Sequence, residues 1–527
     1  MKLFLGVKKS EWLMVAALMA LVAAVYGISL RGVFLWDDVL FIEQNAFLHD
    51  VSNIPEIFAS DDAVGTGLRN PYYRPVTTAT FLMDHLFWGK NPAGYRATNL
   101  LLHAAVCVAL FFTAKRFMGK WAAFLAAAIF SVHPANSEPV AYISARADLI
   151  CGLFVLLSFL NYLIYEEKER GRNYAYSVLF FAVALLSKII ALVVPVVLAF
   201  WLFARGKRGR ITTHLPLYVA IAALFMILRS SVTAVDTFHS HPLVTRLASA
   251  GTYLVYYLRY SLLPFGLKVF YEEPIRTTFA DAFVIASWAA LFLIWATAYR
   301  LARRFPEGVL GVVWYFTALL PASGVFMILF PAVMADRYLY IPLLGLSLTA
   351  GWMIDRFARS GAYRKNRLQL KACAAICIAA ASIYTVTRVN VWGSKLSFWG
   401  KAVSEAPNVV LVLNNYGLAL INAKRYFEAD SVFYQLKEMG DDDAHVDMSL
   451  ALSAMYRGDL DLAESHITTA LNKKPGNSWY LAVNGRISFL KGNIPFAKYL
   501  TEASLRLNPY GTEALETMEM INNSQPR

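Results

Sequence analysis

The sequence predicts an all-α protein in two parts: a polytopic membrane unit with about eleven transmembrane helices over residues 1–393, then an α-solenoid over 394–527. Three observations carry this reading. Apolar runs of 18 or more residues recur along the first part, long enough to cross a bilayer. Only 16% of residues are charged against 58% hydrophobic, with a mean hydropathy of +0.47, whereas soluble domains are about one-quarter charged. From about Ser394 the composition becomes that of a soluble helical domain with a repeat period of 34 residues. The net charge of +13 would suggest nucleic acid in a soluble protein, but most of it falls in short loops between apolar runs, so it reports topology and no nucleic-acid partner is expected. Cys107, Cys151, Cys373 and Cys377 all lie within apolar runs and read as small core residues, not as disulfides or zinc ligands.

Lys2, Lys8 and Lys9 precede an apolar run over 12–30. It is too long for a signal-peptide core and lacks a small-residue cleavage site before Trp36, so an uncleaved first helix is expected, entering from the cytoplasmic side. Further spans are expected at 95–113, 121–132, 149–165, 174–186, 189–203 and 215–228. Basic clusters at 115–116, 166–172 and 205–210 fall at every second boundary, as the positive-inside rule requires. The segment 253–270, broken by Arg259, Pro264 and Lys268, decides the remainder. As a span it would put Arg300, Arg303 and Arg304 outside; as an amphipathic element along the outer interface it keeps them inside with the basic stretch 356–371. The second reading is adopted. The last spans are then 282–298, 309–330, 338–353 and 372–386, and the C-terminal part lies on the same outer side as Asp37 and Asp38.

In that C-terminal part, Gly417, Ala451 and Gly485 are 34 residues apart, as are Ala429, Ala463 and Ala497. Small residues at these places let paired helices approach closely, and Pro475 and Pro509 end their units. Three tetratricopeptide repeats follow, at about 410–443, 444–477 and 478–511, with a capping helix near 513–522. Asn415, Tyr416 and Asn484 are expected on first helices, lining the concave surface of the array.

The chemistry concentrates in the first outer loop, about 31–95. Trp36 precedes two adjacent carboxylates, Asp37 and Asp38, either of which can accept a proton from a hydroxyl; the pair can also hold a divalent cation such as Mg or Mn. Arg74, His133, Glu138, Arg146, Lys188, Asp336 and Arg337 all fall on the same side under this topology. Charged groups beside hydrocarbon are costly and are functional candidates. Cations there suit an anionic lipid head such as a phosphate, and carboxylates suit an acceptor hydroxyl.

The succession Trp36-Asp-Asp, Tyr73-Arg-Pro, Trp88-Gly-Lys-Asn-Pro-Ala-Gly-Tyr95, Asn99-Leu-Leu-Leu-His103, the 133–142 stretch from His-Pro to Val-Ala-Tyr, Ala145-Arg-Ala-Asp148, Leu186-Ser-Lys188 and Ala335-Asp-Arg-Tyr-Leu-Tyr340 resembles bacterial relatives of the transmembrane and tetratricopeptide repeat O-mannosyltransferases, of the GT-C glycosyltransferase superfamily. The resemblance covers nearly the whole chain. It implies a GT-C membrane fold, a polyprenyl-phosphate-linked sugar donor, and a protein or glycan acceptor met by the repeats. It also implies a multi-pass protein of the bacterial inner membrane, with site and repeats periplasmic. Carried over to this sequence, Asp37 and Asp38 match the acidic motif that supplies the catalytic base, and Arg74, Arg146, Lys188 and Arg337 match basic positions for the donor phosphate. His133, Glu138 and Asp336 would shape the site. Two alternatives remain open at this point: an oligosaccharide ligase or polymerase using a pyrophosphate-linked donor, and a non-enzymatic scaffold for envelope or pilus assembly.

Overall fold

The structure is a computed structural model and describes residues 8–66, 68–233, 241–326, 333–360, 366–441, 443–509 and 511–524. No strand occurs among the described residues. The chain divides into two compact units, Met1–Ser394 and Lys395–Arg527.

Each of the eleven expected spans contains a helix in the first unit. These are α1 (Lys9–Tyr26), α4 (Pro92–Ala114), α5 (Lys120–Ser131), α7 (Arg146–Lys168), α8 (Gly171–Leu185), α9 (Val193–Ala204), α10 (Arg208–Val232), α12 (Ala282–Ala302), α13 (Pro306–Leu319), α14 (Tyr340–Ala358) and α15 (Arg367–Val391). Between them lie α2 (Ile54–Ala59), α3 (Pro75–Trp88), α6 (Ser137–Ala141) and α11 (Leu243–Leu262). Among the described residues, six helices are long and apolar enough to cross a membrane by length and composition. The chain is thus a multi-pass membrane protein, and its central helix is α7, the most buried of the six. The expected end of one span at 327–330, part of the basic stretch (361–365) and Lys2 lie outside the described residues.

Local signals explain the helix starts. Asn91 accepts from the Ala93 amide at 3.1 Å, with Pro92 at the first position of α4. Asp281 does the same for Phe283 at 2.8 Å ahead of α12. α13 and α14 meet backbone to backbone: a Cβ on Gly311 would lie 2.1 Å from the Gly345 carbonyl oxygen, so only glycine allows this approach.

The segment expected along the interface is the second half of α11 plus a loop. Near its start, Arg246 donates to the carbonyls of Val325 and Phe326; near its end, the Ser261 hydroxyl meets Tyr315 at 2.9 Å and the Ser261 carbonyl meets His133 at 3.1 Å. Both ends of α11 therefore reach one face of the bundle, that of the connections 132–146 and 320–326. The face of α11 that packs inward carries small residues and tyrosines, among them Ala248, Gly251, Tyr253 and Tyr257. The opposite face of the bundle carries the pairs Lys115–Glu11, Arg116–Glu167, Lys207–Glu166 and Arg205–Glu307.

The second unit is a tetratricopeptide solenoid. A first helix, α16 (Lys395–Glu405), precedes three hairpins: α17 (Val410–Asn422) with α18 (Tyr426–Glu438), α19 (Ala444–Arg457) with α20 (Leu460–Lys473), and α21 (Ser478–Leu490) with α22 (Ile494–Leu507). α23 (Thr512–Ser524) closes the array. Ala429, Ala463 and Ala497 are fully buried at equivalent places, and Gly417 lies under the Phe433 ring. α20 and α22 stop two residues before Pro475 and Pro509. Buried Asp447 ties successive hairpins by accepting from Lys437 and Lys473. Of the residues expected on the concave face, Asn415 is half-buried and donates to the Leu411 carbonyl at 2.8 Å, Tyr416 packs partly buried against the core, and Asn484 is buried. Tyr416 and Asn484 serve packing, because the first helices contact both neighbours.

Candidate active site

Trp36 adopts φ +48°, a region that a bulky side chain rarely occupies. Ring stacking holds it there: Trp36 lies on Tyr142 at 6.3 Å and 19°, and Tyr142 lies on Trp392 at 5.3 Å and 26°. The turn is closed by the Asp38 amide donating to the Leu35 carbonyl at 2.9 Å. Buried Arg96 braces it from below, donating to the Val33 carbonyl at 2.6 Å and the Trp392 carbonyl at 3.3 Å.

This turn sends the two aspartates in different directions. Asp38 is fully buried and accepts from the Leu35 amide (3.1 Å), the Ser144 amide (2.8 Å) and the Ser144 hydroxyl (2.5 Å). Burial pushes its carboxyl up to about 6, against the pull of Ser144 and Arg96. Asp37 instead lines an open cavity, beside Tyr142. The expectation of Asp38 as a base is therefore corrected: its oxygens are committed to joining the first loop to the second. The same commitment removes the Asp37–Asp38 pair as a chelate, and no group of three or more His, Cys, Asp or Glu among the described residues is arranged to hold a metal ion.

Three expected cations reach the cavity, and each has a carboxylate partner. Lys188, at the start of a short 3-10 turn before α9, donates to both oxygens of Asp148 at 2.7 and 2.6 Å. Arg337 is gripped by Glu138, whose one oxygen takes the guanidinium and whose other takes the Arg337 amide at 3.0 Å. Arg74, the residue before Pro75 and α3, lies 3.5 Å from Asp62 and 4.2 Å from the Tyr72 ring centre. Tyr338 lies beside both Lys188 and Arg337. Glu138 itself is not in the cavity lining and touches it only through Arg337.

Arg146 requires a second correction. It is fully buried in α7, away from the cavity lining. Its guanidinium is consumed by Asp84, the Asn99 side chain (2.7 Å), the Tyr95 carbonyl (2.9 Å) and Thr80 (3.3 Å), so it has no hydrogen left for a donor phosphate. Asp336 is likewise internal, accepting from Tyr271 (2.5 Å) and Arg388 (2.7 Å). His133 caps its own turn by accepting from the Ala135 amide, and burial pushes its imidazole down to about 4, so it stays neutral.

Sequence reasoning passed over Asp62 and Ser144 and gave no role to Asn70, Tyr72, Tyr142, Asp148 and Tyr338, all of which line the cavity. One signal was available: Asp61-Asp62 is a second adjacent carboxylate pair in the same loop.

A family profile described as "Dolichyl-phosphate-mannose-protein mannosyltransferase" matches residues 78–232, which include Asp148 and Lys188. The mouse "Protein O-mannosyl-transferase TMTC3" is 26% identical over 490 residues, covering 83% of this chain and 52% of that protein. Over most of its length the chain is thus similar to proteins named as O-mannosyltransferases. The nematode "Protein O-mannosyl-transferase F38B6.6" (Caenorhabditis elegans) is 24% identical over 76% of this chain and 60% of its own length. The human "Protein O-mannosyl-transferase TMTC2" is 38% identical over a shorter stretch, 27% of this chain and 18% of that protein. The chain spans about half the length of the first of these mannosyltransferase relatives. A solved chain titled "Crystal structure of APC/C hetero-tetramer Cut9-Hcn1" aligns at 12% identity over 85% of this chain and 93% of that one, with a TM-score of 0.23, too low to carry an argument.

Proposed function

We propose that this chain is a membrane glycosyltransferase that moves a hexose from a polyprenyl-phosphate donor to a hydroxyl of a protein acceptor, with Asp37 as general base. One observation carries the reading. The Asp37 carboxylate faces a cavity at the loop end of a membrane bundle, where Arg74, Lys188 and Arg337 gather around the same space. A lipid phosphate can enter such a place from the bilayer and a protein hydroxyl from the aqueous side.

In the proposed reaction the acceptor oxygen attacks the anomeric carbon while Asp37 takes the hydroxyl proton. The bond from that carbon to the phosphate oxygen breaks, and the lipid phosphate leaves with the bonding pair. Its growing charge is met by Arg337 and Arg74, which are preorganised by Glu138 and Asp62 and need not reorient. Lys188, held by Asp148 through two short contacts, borders the same space. The similarity to protein O-mannosyltransferases supports a protein acceptor, and the repeats are a surface by which one can be held. We place the site and the repeats on the periplasmic side of a bacterial inner membrane, following the distribution of basic loops.

The test is turnover of the purified full chain in nanodiscs with a polyprenyl-phosphate hexose and an acceptor peptide. Asp37→Asn should lower transfer by about 10²–10⁴-fold with folding and donor binding retained. Wild-type turnover in that variant would reject Asp37 as the base.

A further inference from the structure

Three ion pairs surround the cavity, and one is built differently. Asp148 gives both carboxylate oxygens to Lys188, and Glu138 gives both of its oxygens to Arg337. Asp62 meets Arg74 through one oxygen only, at 3.5 Å. Its other oxygen, Oδ1, is buried and accepts no hydrogen bond from any described residue. Asp84 Oδ2, Asp441 Oδ2 and Glu513 Oε1 share that state, but of these four residues Asp62 is the one that lines the cavity, and its unused acceptor calls for a reason. Looseness of the loop does not supply one. The Asp62 amide donates to the Tyr72 carbonyl at 2.9 Å, Asn45 holds the Val64 carbonyl at 2.9 Å, Tyr73 holds the Phe58 carbonyl at 2.7 Å, and Arg229 holds the Pro71 carbonyl at 3.0 Å. Asp62 is thus presented to the cavity on a pinned segment, with acceptor capacity unused.

Position says what the missing donor is. Asp62 shares Arg74 with the phosphate of the proposed donor, and it lies near enough to Asp37 to feel its charge. The group between a phosphate and the general base in this reaction is the transferred sugar, which carries hydroxyl donors. We infer that Asp62 is a specificity-determining residue whose Oδ1 accepts a hydrogen bond from one hydroxyl of the donor hexose, while Oδ2 keeps Arg74 aimed at the phosphate. This rests on the proposed function and adds to it a contact that selects the sugar. It also explains why Asp62 meets Arg74 through one oxygen: a two-point pair like that at Lys188 would consume both.

The experiment is a cycle between protein and donor, run on the full chain in nanodiscs. Wild type and Asp62→Ala are compared on a polyprenyl-phosphate hexose and its monodeoxy analogues, with thermal unfolding as the check on folding. For wild type, one monodeoxy donor should lose about 10- to 150-fold in kcat/KM, the range for a hydrogen bond to a charged group. Asp62→Ala should lose a similar factor on the complete hexose and nothing further on that one analogue, with the loss mainly in KM. Asp62→Asn, which keeps a neutral acceptor and the side-chain volume, should recover part of the loss, and it serves for the cycle if the alanine variant does not fold. Losses that multiply for every analogue, or a wild type indifferent to every deletion, overturn the assignment while leaving the glycosyltransferase reading intact. A wild type that transfers from no polyprenyl-phosphate hexose overturns both.

Discussion

Replacing Asp38 with asparagine separates the anchor from the base, and the structure sets the size of the effect. The Asp38 carboxyl titrates at about 6 in the fold against 3.8 ordinarily. At 1.36 kcal/mol per unit, the buried charge costs about 3 kcal/mol at neutral pH. The fold binds the proton more tightly than the unfolded chain, so stability from this group is greatest below pH 3.8, falls as pH rises towards 6, and is flat above. Asp38→Asn removes that dependence. It keeps one carbonyl oxygen for the amide and hydroxyl of Ser144, but the Leu35 amide loses its acceptor, at a cost of about 1–3 kcal/mol. The two effects oppose each other, so at pH 7 the variant should lie within about 2 kcal/mol of wild type and retain transfer within about tenfold, unlike Asp37→Asn. Hydrogen exchange of peptides containing Leu35 and Ser144, corrected for intrinsic rates, is the assay. Wild-type protection should fall by about fiftyfold between pH 4 and 6.5 on account of Asp38 alone, multiplied by a further fall from Asp62, which burial also pushes to about 6. The variant should show a shallower slope. Identical slopes, or loss of transfer as complete as in Asp37→Asn, would refute the division of roles.

Arg146→Ala should act on stability rather than on donor use: it leaves Asp84 buried without its partner, costing about 3–5 kcal/mol, visible as a lower Tm with donor KM unchanged in the folded fraction. Glu138→Gln should release Arg337 and raise the donor KM about tenfold while leaving Tm nearly unaltered, since one amide oxygen can still take the Arg337 amide. Gly311→Val should separate α13 from α14 and lower the yield of folded protein in detergent extraction, because its Cβ would overlap the Gly345 carbonyl.

Much of this architecture was legible in the chain. Apolar run lengths place the eleven helices, and a period of 34 places the hairpins, because both depend on local composition. The site was legible only as a set of elements. Adjacent Asp37 and Asp38 look alike in sequence; what separates them is the positive φ of Trp36, which is held by a ring from a loop remote in the chain. Arg146 and Lys188 are both cations near the loop end of a helix, yet one is enclosed by Asp84 and Asn99 and the other opens on the cavity. Partnership of this kind comes from tertiary contacts, which no spacing rule reports. Asp62 was passed over because it lies in a polar loop, where charge is ordinary.

The stack of Trp36, Tyr142 and Trp392 also fixes an order of events during synthesis. Trp36 leaves the ribosome early and Trp392 emerges only at the end of the last membrane helix, with 355 residues between them. At about 5–20 residues per second, the final ring arrives roughly twenty seconds to a minute after the first. Until then the turn that separates Asp37 from Asp38 lacks its outermost support, so the nascent chain carries Asp37 before it carries the means to aim it.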